Sequence, residues 1–407
     1  MNVGGKTTVK LTFVTKSNLR TGRGTESVLF NLIKKIPEDF QVSIIETDIL
    51  LKSRLSEEDV KQRTLRCDRE IIHIRRIEGN SLKEFFYKYI HKTFRIDISN
   101  ALKTNVKLSK IISSTDIAFL IFNYYAPLFN GKNCMVIGSE HCGFGISPNI
   151  QENGEISKKL GFSSKIKFSI LNNFYFKRIN AFQYFPRSEE WIKSFIDQKR
   201  INLSFSLPNG IDTEIFYPEI NKERESKRDK LKVFFIASLE RGKGIETFLY
   251  VANKFSNDSR VEFHVAGTGS FLDDVKSNPN VIYEGVPTAE ALPALYRSMD
   301  IFLYPSTNDT FGLVVLEALS SGLYVLTTML FKEVFQSINE HCIEYLPARK
   351  DSFYEAMQSI LDNPELGKVD KASVFEKIKK NFDWEVIRNS FYENLRRINL
   401  EFKDQEA

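Results

Sequence analysis

The second half of the chain carries five short apolar runs at regular intervals: KVFFIAS (232–238), VEFHVAG (261–267), NVIYEG (280–285), DIFLYPS (300–306) and LYVLTT (323–328). Each has strand length, and each is close to continuously apolar instead of alternating, as a sheet covered on both faces requires. Helical spacing fills the gaps at about 244–256, 270–277, 289–298 and 313–321. Strands that alternate with helices pair in parallel through right-handed crossovers, so this half predicts a doubly wound α/β domain. Sheets of that kind hold ligands outside the carboxyl ends of their strands. Here those ends are Leu239–Gly244, Gly267–Ser270 and Pro305–Gly312, each bearing glycine, charge or both.

A chain of 407 residues exceeds one ordinary core, and two domains of roughly 200 residues are expected. The first half repeats the same alternation less regularly. Strands are predicted at Val9–Val14, 41–47, 71–77, 116–122, 134–139 and 180–185. A glycine-containing loop, Gly22-Arg23-Gly24-Thr25-Glu26, precedes Val28, Leu29, Leu32, Ile33 and Ile36 at helical spacing. The polar segments 50–70 and 80–115 are expected to carry helices on the outside. Pro208-Asn209-Gly210, Pro218 and the charge run NKERESKRDK mark a break. The expected division is therefore 1–208, a linker 209–230, and a second domain 231–383, with 384–407 remaining.

The composition, 42% hydrophobic and 27% charged, is that of a folded protein, and a net charge of +5 is too small to argue for nucleic acid. The charge is uneven. Residues 151–200 hold ten basic against five acidic side chains, interleaved with Phe162, Phe168, Phe174, Tyr175 and Phe176. Such a stretch fits an anionic membrane surface, and equally a solvated helix face. The four cysteines, Cys67, Cys134, Cys142 and Cys342, are scattered without a CxxC pair, so neither a disulfide framework nor structural zinc is expected. No apolar signal core or run of about 18 apolar residues occurs, which predicts a cytoplasmic protein, at most peripheral on the cytosolic face of a membrane.

The loop PSTNDTFGLVVLEALSSG (305–322) concentrates the chemistry. Gly312 lets the chain turn sharply, and the helix starting there offers unpaired N–H groups and a positive dipole end to phosphate. Glu317 is placed to accept hydrogen bonds from a ribose diol, and Asp309 to reach the hydroxyls of a sugar beyond a diphosphate. Acids near a helix start also complement its dipole, so the pair by itself leaves two readings open.

The surroundings of that pair resemble glycosyltransferase family 4. That family's signature is E-x7-E in a Pro-Ser…Phe-Gly…Glu-Ala…Gly frame, and this chain supplies Pro305, Ser306, Asp309, Phe311, Gly312, Glu317, Ala318 and Gly322. The likeness continues through LPNGIDTEIFYP (207–218), FIASLERGKGIETF (235–248), HVAGTGS (264–270), the segment 281–306, and FDWEVIRNSFYENL (382–395). In the first half it is thinner: GRGTE (22–26) and Glu140-His141 at a strand end. His141 follows a buried-looking strand where a cleft would lie, which favours a functional role over a structural one.

The resemblance implies a GT-B fold: two Rossmann-like domains facing across a cleft, with a C-terminal helix over 384–407 crossing back to the first. It implies a retaining hexosyl transfer from a nucleotide-diphosphate sugar to a glycan or lipid-linked acceptor, without metal or cofactor. His141, Asp309 and Lys243 are the implied catalytic residues. Gly22, Gly24, Ser238, Arg241, Lys243, Gly267, Thr268, Gly269, Thr310, Phe311, Gly312, Leu313 and Glu317 are the implied donor-binding residues. The chain departs from the family where Ser238 replaces an arginine that pairs with the diphosphate, where Asp309 replaces glutamate, and where the glycine-rich turn past 330 is missing. Arg241 is the candidate replacement for the arginine. These departures support an alternative, a catalytically degenerate GT-B protein that binds a nucleotide-sugar or a membrane surface; phosphorylases and epimerases share the fold as well.

Overall fold

Four of the five apolar runs form largely buried strands, as helices on both faces require, while 280–285 forms a sheet edge with no buried residue and Ile282 46% exposed. The computed structural model describes residues 8–15, 18–21, 24–47, 55–72, 105–129, 131–141, 149–150, 156–157, 178–186, 201–219, 230–338 and 341–406. A first parallel sheet contains β1 (Val9–Val14), β2 (Phe40–Thr47), β3 (Cys67–Ile72), β4 (Ile117–Leu120), β5 (Met135–Ser139), β8 (Ala181–Tyr184) and β9 (Leu203–Ser206). Its order is β3-β2-β1-β4-β5-β8-β9, and a separate antiparallel pair joins β6 (Asn149–Ile150) to β7 (Ile156–Ser157). Helices α1 (Thr25–Ile33), α2 (Glu57–Arg63) and α3 (Val106–Ser114) belong to this half. Ser56 and Asp59 start α2 as a capping box, and Asn105 caps α3.

The second sheet has the order β12-β11-β10-β13-β14-β15, all parallel. Its strands are β10 (Leu231–Ile236), β11 (Val261–Ala266), β12 (Ile282–Gly285), β13 (Ile301–Tyr304), β14 (Tyr324–Thr328) and β15 (Ile343–Leu346). The helices are α4 (Ile245–Lys254), α5 (Leu272–Ser277), α6 (Leu292–Arg297), α7 (Leu313–Ser320), α8 (Lys350–Asp362), α9 (Lys371–Phe382) and α10 (Trp384–Glu406). In each sheet the winding direction reverses, between β1 and β4 and between β10 and β13. A doubly wound sheet leaves its crevice at such a reversal.

Besides the short pair β6 and β7, two strands of the large sheets, β9 and β15, carry no sequence prediction. Both are sheet edges of four residues with mixed exposure, so neither leaves a continuous apolar run. The strand predicted at 71–77 begins earlier, at Cys67, and residues 73–77 lie outside the described residues. So do Gly22, 80–104, Cys142, most of the linker charge run, and the greater part of the basic stretch 151–200. Cys67, Cys134 and Cys342 are not joined in disulfides. No helix among the described residues is long and apolar enough to cross a membrane.

The two halves meet where the chain crosses twice. Ile211 N–H donates to Phe382 O at 2.8 Å, and Trp384 N–H donates to Ile211 O at 3.0 Å. A Cβ on Gly210 would lie 2.6 Å from the Trp384 ring, so only glycine allows that approach. Beyond the crossing, α10 sends Trp384, Ile387, Phe391, Tyr392, Leu395 and Ile398 into the core of the first sheet. Arg396 clamps Asp39 through two bonds of 2.7 and 2.8 Å, and Arg388 Nε donates to Asn31 O.

Candidate active site

Three strand-end loops of the second sheet are tied together by their backbones. The carbonyl of Gly242, in the loop after β10, accepts from Thr307 N, Asn308 N and Ser306 Oγ of the loop after β13, all at 3.0–3.1 Å. On the other side Leu239 N–H donates to Thr268 O, while Glu240 accepts from Ser270 N and Oγ at 3.0 and 2.6 Å. Glycines permit this proximity. A Cβ on Gly267 would sit 2.0 Å from Ala237 O, and one on Gly269 would sit 2.5 Å from Leu239 O. Helices α4 and α7 start beside the reversal with Gly244 (φ +87°) and Gly312 (φ +85°) as N-caps, and no side chain caps either. An uncapped helix start facing a crevice presents N–H donors and a positive dipole end to an anion.

Lys243 and Asp309 meet between those helix starts, Nζ to Oδ2 at 3.0 Å. Tyr304 Oη donates to the same oxygen at 2.7 Å, and Thr310 N–H donates to Oδ1 at 2.7 Å. Burial alone would raise this carboxyl. The Lys243 ammonium and the Tyr304 and Thr310 hydrogen bonds outweigh it and hold Asp309 below the usual carboxylate range. A carboxylate has about four acceptor sites, so Asp309 keeps capacity on Oδ1 for a sugar hydroxyl. Glu317, one turn into α7, is different. Burial pushes its carboxyl up to about 7, with a single bond from Tyr296 Oη at 2.8 Å acting the other way.

The first domain reaches this loop through aromatic rings. The His141 ring lies 5.2 Å from that of Phe185, and Phe185 lies 5.3 Å from Phe311 of the acidic loop. Glu140 fixes the intermediate by accepting the Phe185 N–H at 2.7 Å. His141, two residues beyond β5, is thus joined through Phe185 and Phe311 to the loop that carries Asp309. Burial pushes its imidazole down to about 4, so it is neutral near pH 7 and can both donate and accept.

Of the remaining residues singled out in the sequence, Gly312, Leu313, Thr310, Gly267, Thr268 and Gly269 line these loops. Phe311 is buried, 2% exposed, so its side chain is an inter-domain plug and only its backbone can serve a ligand. Arg241, the candidate replacement for the missing arginine, points into solvent in this structure. Its side chain is 80% exposed and pairs with Glu246 at 3.0 Å, drawn to the acid in the first turn of α4. Ser238 is exposed at the end of β10. Gly24 starts α1 at φ +46°, while Gly22 lies outside the described residues. Tyr296, Tyr304 and Phe185 carried no sequence signal, because an aromatic in an apolar run reads as core.

Comparison with known protein families bears on the same half. The family described as glycosyl transferases group 1 matches residues 230–363. The chain has the GT-B fold and is similar to glycosyltransferases of the family 4 type. Residues 230–363 are its glycosyl transferase domain. Among curated relatives, the phosphatidylinositol N-acetylglucosaminyltransferase gpi3 subunit of Schizosaccharomyces pombe is 23% identical over 206 residues, 49% of this chain and 44% of that protein. The chain thus spans less than half the length of that relative. Among solved structures, sucrose-phosphate synthase of Thermosynechococcus elongatus aligns with a TM-score of 0.69 at 14% identity, covering 96% of this chain and 99% of that one. HepE of Anabaena, in complex with UDP and glucose, aligns with 0.64 at 14% identity, covering 95% and 99%. At these identities the solved structures establish the GT-B fold.

Proposed function

We propose that the chain transfers a hexose-type sugar from a nucleotide-diphosphate sugar to a lipid-linked or other glycan acceptor, with retention and without a metal. The observation that carries this reading is the convergence of Lys243, an ionised Asp309 and the glycine-capped start of α7 at the sheet reversal, with His141 linked to the same loop through Phe185 and Phe311. The anomeric carbon–oxygen bond breaks as the diphosphate leaves with growing negative charge. Lys243 and the helix start oppose that charge, and a donor of this kind contributes about 10²–10³ in rate in a water-poor site. The acceptor hydroxyl attacks the anomeric carbon from the face the diphosphate leaves, and its proton passes to a leaving phosphate oxygen. Asp309 and neutral His141 hold sugar hydroxyls, and Glu317 holds the ribose. The name of the fission-yeast relative supports a lipid acceptor.

A panel of nucleotide-sugars, read by thermal shift and by slow donor hydrolysis with and without chelator, tests this. One donor should stabilise the protein and turn over, chelator should change nothing, and Glu317→Ala should raise the donor KM and lose most activity. Unchanged kinetics in Glu317→Ala would remove the site assignment. Binding without turnover, even with phosphatidylinositol vesicles as acceptor, would favour the degenerate reading, for which exposed Ser238 and the outward Arg241 speak.

A further inference from the structure

Both acids of the donor loop are held by tyrosines that rise from the aromatic core. Tyr304 closes β13 and is 1% exposed, with Phe302, Phe331 and Phe235 rings 5.6–5.9 Å away. Its hydroxyl donates to Asp309 Oδ2 at 2.7 Å. Tyr296, on α6, is fully buried against Phe234 and Phe302, at 5.4 and 5.9 Å, and its hydroxyl lies 2.8 Å from Glu317 Oε2. A buried hydroxyl must find a partner inside the protein, and a backbone carbonyl would satisfy it. Here two tyrosines from different elements each reach one carboxylate of the pair.

We propose that Tyr304 and Tyr296 are positioning residues for sugar transfer, Tyr304 orienting Asp309 toward the sugar and Tyr296 holding Glu317 for the ribose. This rests on the donor-site reading above. Lys243 and Tyr304 share Asp309 Oδ2. When a diphosphate draws the ammonium away, the Tyr304 bond keeps the carboxylate from turning, so the acceptor site on Oδ1 stays aimed. Thr310 N–H alone would leave it a pivot.

Tyr296 has one hydroxyl proton and two acceptors in reach, Glu317 Oε2 at 2.8 Å and Val314 O at 3.4 Å. With Glu317 ionised, the tyrosine donates to the carboxylate. With Glu317 protonated, the acid proton turns to the tyrosine oxygen and the tyrosine proton turns to Val314 O. Burial brings Glu317 into the neutral range, so both arrangements are available there. A ribose hydroxyl donating to Glu317 favours the ionised one.

Tyr304→Phe and Tyr296→Phe keep each ring and its packing and remove one oxygen. Tyr304→Phe should lower kcat about 10- to 100-fold with donor KM within about threefold, as expected when a hydrogen bond to a charged group is lost. Tyr296→Phe should raise donor KM about tenfold and move the neutral-range limb of the pH profile upward, because the lost bond favoured the ionised acid. Carbon-13 NMR titration of the two carboxyls without donor gives a readout independent of turnover. Asp309 should titrate higher in Tyr304→Phe, and Glu317 higher in Tyr296→Phe. Unchanged kinetics and unchanged titrations would overturn the proposal while leaving the donor site standing. Should the wild type turn over no donor, the donor-site reading falls, and the titrations alone decide whether the tethers act.

Discussion

Burial pushes two ionisable groups of the cleft in opposite directions, because it disfavours the charged form of each. The Glu317 carboxyl rises to about 7 and the His141 imidazole falls to about 4. Their effects on stability are therefore opposite. Between the ordinary carboxyl value and about 7, the folded chain holds the Glu317 proton while the unfolded chain has released it, so stability falls as pH rises through that window. Buried neutral His141 does the reverse: its contribution is lost as pH drops from the ordinary imidazole value toward 4. Glu317→Gln isolates the first effect. Unfolding followed by urea from pH 4.5 to 8 should show the variant gaining on the wild type with rising pH, by at most about 3 kcal/mol. A constant difference between the two would mean that Glu317 is not held protonated.

At the scale of elements, the site depends on two helices that begin on left-handed glycines without a side-chain cap. An alanine at Gly244 would face both a φ of +87° and a Cβ 2.4 Å from the Pro305 carbonyl oxygen. Gly131→Ala is the control, with φ +70° and nothing within 4 Å. Gly244→Ala should cost about 2–4 kcal/mol and Gly131→Ala about 1, both by equilibrium unfolding. Equal costs would show that the loops after β10 and β13 give way to each other. The glycines themselves were legible in the sequence. The Pro305 carbonyl against Gly244 was not, since it belongs to a strand end some sixty residues away.

In the whole molecule, the last helix belongs to the core of the first sheet. Phe391 is fully buried there, 5.1 Å from Phe119 and 5.9 Å from Phe13. Phe391→Ala leaves a cavity that the surrounding strands cannot close, and about 3–5 kcal/mol of unfolding free energy should be lost. A loss under about 1 kcal/mol would show that the helix only rests on the first half. The crossing at Ile211 and Trp384 and the Phe185–Phe311 contact link the same two halves.

The sequence by itself determined the strands buried on both faces and the glycine turns after them, and it offered Asp309, Glu317 and Lys243 as candidates. Burial on two faces leaves a continuous apolar run, and a turn leaves its glycine, so both are local marks. The edge strands β9 and β15 were not legible, because a half-covered strand needs no such run. Only the tertiary structure decided the partners of polar and aromatic groups: Tyr304 with Asp309, Tyr296 with Glu317, Phe185 with Phe311, and Arg241 with Glu246. A buried hydroxyl or a long cation takes whichever partner the packing of distant elements brings within 3 Å, and no local pattern encodes that choice.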